Sequence, residues 1–257
     1  MILQTAIAHF NQDIQRAKDL KDHAGGLPVG AIKDDILRTS WMLAVGSIDA
    51  YFCDAYGDLV ARTLRAKKIQ PAVNLPPKMK NIMVPILVVL DNNLNDGWLW
   101  RMIARDLIEK DNVLSVKKIK ELFNVFFRPS HKLFTESGAP IDRWIERQQT
   151  MNRLFGCTRT QYRGVTGAAK SSLRKKAIAQ MEERLTMIFQ RRHDCIHNCD
   201  RPKIAINRRN INPNYVRDVI TDLEYIVNRC HEDFIVEFPF FLRGLGFNAV
   251  TRNRVGV

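Results

Sequence analysis

The chain has 257 residues, of which 46% are hydrophobic, and this composition excludes a protein that is disordered throughout. No apolar run reaches the roughly 20 residues that span a bilayer, and the longest, at 82–90, contains Pro85. The N-terminus lacks the pattern of a signal peptide, and five cysteines, an odd number, do not form a disulfide framework. We therefore expect a cytoplasmic protein without a membrane segment.

The formal net charge of +13 is concentrated in one part of the chain. Residues 143–209 contain sixteen Lys or Arg and five Asp or Glu, a net charge of +11. Such a concentration favours a polyanionic partner, because each phosphate that a protein neutralises releases counterions, although a solubilising surface would give the same count. We interpret it as a nucleic-acid surface with candidate contacts at Lys170, Arg174, Lys175, Lys176 and Arg201.

Hydrophobic periodicity predicts helices along most of the chain. A first helix is predicted at 2–23 and a long second helix at 31–69. Shorter helices follow, with Ser115 as the N-cap of one of them, at 80–91, 97–109, 115–127 and 141–154. We find no alternating strand pattern and no internal repeat.

The C-terminal half begins with a loop-like segment, 156–170, rich in Gly, Thr, Arg and Lys. Ser171 or Ser172 is predicted to cap the helix that follows, which ends near Asn198 because Pro202 prevents its extension. A last helix is predicted to start near Pro213.

These elements predict an all-α protein, a bundle of long antiparallel helices with loop insertions. We expect one domain over residues 1–257, with its core at about 30–236 and a C-terminal tail at 237–257.

The candidate site lies near the end of the helix that precedes Pro202. His193 and His197 are four residues apart and differ by only about 40° in direction on a helix, so they share a face. Arg192 would lie about 140° from His197, but its long side chain could reach the same anion. Histidine can exchange protons with a 2′-hydroxyl or a 5′-oxygen, and arginine can hold the phosphate between them. Capping or core histidines with solvated arginine pairs would explain the same residues.

A metal site is the main alternative chemistry for this stretch. Cys195 and Cys199 share a face roughly opposite the histidines, so one helix cannot supply four ligands to one tetrahedral ion. Two ligands completed by Cys230 or His231 stay open, and helix-turn-helix DNA binding stays a background alternative. A nucleophile elbow and a phosphate-binding glycine loop are both absent from the sequence. We expect no metal and no cofactor.

The motif Arg192-x4-His197, with a polar residue directly after the arginine, resembles the signature of the HEPN superfamily. Arg191, with five intervening residues, also satisfies the permitted spacing and is predicted to support the site. The surrounding helices resemble those of the RiboL-PSP-HEPN branch in three segments that occur in the same order, 38–54, 189–200 and 215–236.

The resemblance implies a HEPN-like helical bundle that forms a homodimer around the motif, with a composite active site. It also implies metal-independent endoribonuclease activity on RNA, commonly in toxin–antitoxin or antiphage defence systems, with an antitoxin or defence-system partner. Some members are non-catalytic modules that bind RNA or protein, and that alternative stays open.

The resemblance further implies roles for individual residues. Arg192 would hold the scissile phosphate and His197 would act as the general acid or base. His193 stands where many members have asparagine, so its role is open between orienting the site and sharing proton transfer. Arg38 and Asp49, on the upstream helix, would buttress the motif.

Overall fold

The structure, a computed structural model, describes residues 2–80, 101, 104–105, 114–136, 139–148, 152–202 and 206–257. These residues form helices and contain no β-strand, which confirms the all-α class. The helices predicted at 80–91 and 97–109 lie almost entirely outside the described residues.

We number the described helices in chain order as α1 Gln4–Gly25, α2 Ala31–Ile69, α3 Pro77–Lys80, α4 Val116–Phe123, α5 Ala139–Arg147, α6 Asn152–Phe155, α7 Arg159–Arg163, α8 Gly167–Asn198, α9 Pro213–Gly244 and α10 Ala249–Arg254. Two 3₁₀ turns follow α4, at Asn124–Phe126 and Pro129–His131. None of the described helices is long and apolar enough to cross a membrane.

Helix α2 lies at the centre of the bundle and contacts α1, α8 and α9. Its length agrees with the predicted 31–69, and its buried residues include Trp41, Val45, Ile48, Phe52 and Leu59. Helix α8 buries an apolar stripe of Ile178, Met181, Leu185, Ile188 and Phe189. Packing of α8 against α2 fixes the position of the end of α8, where the candidate site lies.

Two regions outside the predicted core of 30–236 contribute to the same hydrophobic core. Phe10 and Ile14 of α1 are buried in it, and so are Phe238 and Leu242 of the predicted tail. Helix α9 continues through Pro239 to Gly244. Proline normally ends a helix, but here the buried side chains on either side of it hold the chain in helical conformation.

Several predicted boundaries are wrong. The cap of α8 is not Ser171 or Ser172, because the helix already begins at Gly167 after Thr166. The segment predicted as a loop contains α7, which a capping box between Thr158 and Gln161 stabilises.

Two other boundaries are also corrected by the structure. The helix predicted at 141–154 ends at Arg147, and α6 begins at Asn152. The helix predicted at 115–127 ends at Phe123 and continues as a 3₁₀ turn. Its predicted cap is confirmed, because the Ser115 hydroxyl accepts the Lys118 backbone N–H at 3.1 Å.

Candidate active site at the end of helix α8

The C-terminus of α8 is closed by two residues in the left-handed region. Cys199 has φ 48° and Asp200 has φ 60°, a conformation that costs side-chain-bearing residues roughly 1–2 kcal/mol each. The backbone N–H groups of both residues donate to the Asp194 carbonyl, at 3.0 Å for Asp200. This turn brings the Asp200 carboxylate back into the protein.

The Asp200 carboxylate is fully buried and is shared by arginines from three parts of the chain. Arg38 of α2 donates from Nε at 3.0 Å, and Arg191 of α8 donates from Nη2 at 2.8 Å. Arg209, which precedes α9, places Nη1 3.8 Å away. We call these four residues the Asp200 cluster. Because each partner comes from a different segment, the cluster joins α2, α8 and the chain before α9.

Arg191 is therefore committed to the fold. Its side chain is only 8% exposed, it donates to the Asn210 carbonyl at 3.0 Å, and its guanidinium lies 5.0 Å from the centre of the Trp41 ring. Its Nε and Nη2 atoms thus donate to groups of the protein. Of the two arginines that satisfy the motif spacing, Arg192 is therefore the better candidate for binding a ligand.

Arg192 lines an open cleft of about 320 Å³ beside α4, whose other lining residues are Leu114, Ser115, Thr186, Phe189, Gln190 and His193. We call it the Arg192 cleft. The Nε atom of Arg192 is buried and has no hydrogen-bond partner among the described residues. A buried donor left unsatisfied costs roughly 1–3 kcal/mol, and more when it is charged. Because this Nε has almost no accessible surface, any contact of Arg192 with a ligand in the cleft involves other atoms of its side chain.

The two histidines are exposed and lie on one face of α8, with ring centroids 4.3 Å apart. His193 lines the Arg192 cleft, and His197 follows one helical turn later. Within the described part of the chain, neither ring is paired with a carboxylate that would fix its tautomer. Two exposed imidazole rings on one face can exchange protons with a bound ligand.

The residues between the histidines stabilise the helix end. Asp194 accepts Gln190 Nε2 at 2.9 Å and Arg209 Nη1 at 2.7 Å. Burial raises the pKa of Asp194, but these two hydrogen bonds outweigh burial and leave that pKa below its ordinary value. Burial also raises the pKa of the Cys195 thiol to about 11, so this cysteine is protonated and unreactive near neutral pH.

The predicted supporting residues on α2 lie in different places. Arg38 belongs to the Asp200 cluster. It is linked to Arg191, which precedes Arg192 of the motif, through the shared Asp200 carboxylate. Asp49 is half-buried and lies eleven residues further along α2, about 16 Å along its axis. The structure therefore places Arg38, but not Asp49, beside the C-terminal end of α8, where Arg192 and His197 lie.

The metal site that the sequence left open, with ligands from α8 and Cys230 or His231, is not seen among the described residues. In that part of the chain, no group of three or more His, Cys, Asp or Glu could hold a metal ion. Cys230 is buried, and the Nδ1 atom of His231 lies 3.2 Å from the hydroxyl oxygen of Tyr51. All five cysteines are free thiols.

The predicted RNA contacts are mostly remote from the Arg192 cleft. Arg174 forms a two-bond pair with Asp142, with both distances 2.7 Å, and lies eighteen residues before Arg192, about 27 Å along α8. Lys170 Nζ is 3.5 Å from Glu146, and Lys175 Nζ is 3.9 Å from Glu136. Two predicted contacts are exposed and form no ion pair with a described residue, Lys176 and Arg201.

Comparisons of the chain with models of protein families, with curated proteins and with solved structures found no match. The function proposed below therefore depends on the motif and on the geometry around it.

Proposed function

We propose that the protein is a metal-independent endoribonuclease in which Arg192 holds the scissile phosphate and the exposed histidines transfer protons. The observation that carries this proposal is the Arg192 cleft, where an arginine that forms no ion pair with a described residue lies beside His193 and five residues before His197. An arginine beside two imidazole rings supplies the groups that hold a phosphate and transfer protons in phosphodiester cleavage.

The proposed reaction uses the substrate's own nucleophile. A neutral histidine accepts the proton of the 2′-hydroxyl as its oxygen attacks the phosphorus. The bond to the 5′-oxygen breaks, and an imidazolium gives that oxygen a proton. Arg192 stabilises the charge that develops on the non-bridging oxygens. The products are a 2′,3′-cyclic phosphate and a 5′-hydroxyl, and no metal ion is required.

The geometry of the histidine pair favours a composite site. In an in-line displacement, the attacking and leaving oxygens lie on opposite sides of the phosphorus. Two rings 4.3 Å apart on one helix face approach from one side only. We therefore propose a homodimer in which the second copy supplies the opposite group. Ile196, an apolar residue 47% exposed between the two histidines, is placed to contact that copy.

A ribonuclease of this kind needs restraint in its own cell. From the resemblance to HEPN proteins we propose a toxin–antitoxin or antiphage defence role in the cytoplasm, with an antitoxin or trigger as the restraining partner. The second candidate function is a non-catalytic module that binds RNA or protein. It is favoured by the fact that, among the described residues, no carboxylate orients either imidazole.

Cleavage of total RNA by the wild type and by His197→Ala, in EDTA, tests the proposal. We expect the wild type to cut and to leave cyclic phosphate and 5′-hydroxyl ends, and the variant to lose at least about 100-fold in rate. Equal cleavage by the two proteins would contradict the assignment of His197. RNA binding without cleavage by either protein would support the non-catalytic module instead.

A further inference from the structure

A second arginine-rich pocket lies near the start of α8, remote from the Arg192 cleft. It has a volume of about 400 Å³, lies between α5 and α7, and is lined by Arg143, Glu146, Arg147, Arg159 and Arg163. We call it the α5–α7 pocket. Glu146 is 3.5 Å from Lys170 in the first turn of α8, so the pocket adjoins one of the predicted RNA contacts.

Two of its arginines are held in position from α9. Arg143 Nη2 is 2.5 Å from a carboxylate oxygen of Asp233, a buried residue that also accepts Trp144 Nε1 at 2.8 Å. Arg147 Nη1 is 2.7 Å from Glu232. These ion pairs fix where the two guanidinium groups lie and neutralise part of their charge.

The other two arginines have no such partner. Arg159 and Arg163 are exposed, and neither forms an ion pair or side-chain hydrogen bond with a described residue. They are four residues apart on α7, where like charges repel each other. The helix is anchored by its capping box and by the buried Tyr162, which donates to Asp142. A rigid helix that presents two uncompensated arginines to a pocket favours a bound anion.

We infer that the α5–α7 pocket binds backbone phosphates of RNA and anchors the same substrate that the Arg192 cleft cleaves. This inference rests on the proposed function for the identity of the polyanion. Arginine forks match phosphate geometry, and phosphate contacts position a nucleic acid without selecting its sequence. Lys170, beside the pocket, is 22 residues before Arg192, about 33 Å along α8. The two sites therefore contact different nucleotides of one strand.

The test is RNA binding by the double variant Arg159→Gln/Arg163→Gln, which leaves the ion pairs of Arg143 and Arg147 intact. Fluorescence anisotropy with an unstructured RNA of about 20 nucleotides, longer than single binding-module footprints, gives the affinity over a series of salt concentrations. The His197→Ala background prevents cleavage. Circular dichroism checks that each variant is folded.

We expect the double variant to bind roughly 10-fold more weakly, with a salt slope reduced by about 1.4, the change for two lost phosphate contacts on a single strand. DNA of the same length should weaken equally, because phosphate contacts do not involve the sugar. The matched control is Arg65→Gln/Arg243→Gln, which removes two exposed arginines that form no ion pair with a described residue.

Wild-type affinity and salt slope in the double variant would overturn the inference, and so would an equal loss in the control. The measurement is independent of cleavage. An inactive protein whose RNA binding still depends on Arg159 and Arg163 would count against the proposed ribonuclease but not against the pocket.

Discussion

Two adjacent arginines at the end of α8 have opposite environments. Successive residues on a helix differ by about 100° in direction, so Arg191 faces the core while Arg192 faces the cleft. Arg191 shares the buried Asp200 carboxylate with Arg38, whereas Arg192 lines the cleft and forms no ion pair with a described residue. One arginine stabilises the fold and the other is available to a ligand.

The motif spacing alone does not separate these two arginines, since both satisfy it. The contacts that distinguish them belong to Arg191, which bonds the Asp200 carboxylate and the Asn210 carbonyl and lies over the ring of Trp41, far away in the chain. Motif spacing carries no information about such contacts. The shared face of His193 and His197 is different, because it follows from helix geometry alone, and the ring distance of 4.3 Å confirms it.

At the scale of single residues, Arg191→Gln should destabilise the protein while Arg192→Gln should not. Removing Arg191 breaks a buried ion pair, which typically costs about 3 kcal/mol or more. Arg192 carries a buried donor with no partner among the described residues, so its replacement removes an unfavourable group and should leave the free energy of unfolding unchanged or higher. Urea unfolding of the two variants measures both. An equal loss of stability would contradict the division of roles.

At the scale of elements, the long helices could be predicted and the short ones could not. Helix α2 has 39 residues, enough for its apolar positions to show in the sequence, and Pro28 and Pro71 lie just outside its two ends. Helix α7 has five residues, too few for any period to show, and it depends on a capping box. The sequence places the start of α8 too late, at Ser171 or Ser172, because the first turns of the helix carry few large apolar residues that would show a period.

The contact between α2 and α9 predicts a pH dependence of stability. Burial lowers the pKa of His231 below its ordinary value of 6.5, and its Nδ1 is 3.2 Å from the Tyr51 hydroxyl. The unfolded chain therefore binds a proton more readily than the folded protein. The stabilising contribution is complete above pH 6.5 and is lost as the pH falls through the lowered pKa of the folded state.

Thermal or urea unfolding between about pH 7.5 and 5.5 tests this effect. The wild type should lose stability towards acid pH, by at most about 1.4 kcal/mol per pH unit from this residue. His231→Gln can still hydrogen-bond to Tyr51 but cannot titrate, so it should lose less. An identical pH profile for the variant would show that His231 does not contribute.

At the scale of the whole molecule, the basic segment is less available than its charge suggests. Several of its arginines neutralise acids of the fold, as Arg153 and Arg184 do for the buried Asp222 and Arg174 does for the half-buried Asp142. Among the described residues of this segment, the arginines and lysines without an ion pair are Arg192 in its cleft, Arg159 and Arg163 in the α5–α7 pocket, and Lys176 and Arg201 outside both. Composition located the basic segment, but only the fold separates structural from ligand-accessible charge.

The composite site predicts a dimer in solution. Light scattering should give twice the chain mass of 29.7 kDa. Ile196→Asp should shift the protein to monomers and abolish cleavage while the helical signal in circular dichroism stays unchanged, because Ile196 is exposed in a single copy. A monomer that cleaves RNA at the wild-type rate would contradict the composite site.

The most direct test of the central claim is the single-turnover rate of RNA cleavage by Arg192→Gln, in EDTA and with saturating protein. Arg192 is proposed to stabilise charge in the transition state, so its loss should lower the rate by about 100-fold or more. RNA affinity should change far less, because the α5–α7 pocket still binds the strand. A rate equal to that of the wild type would contradict the claim that this arginine acts on the phosphate.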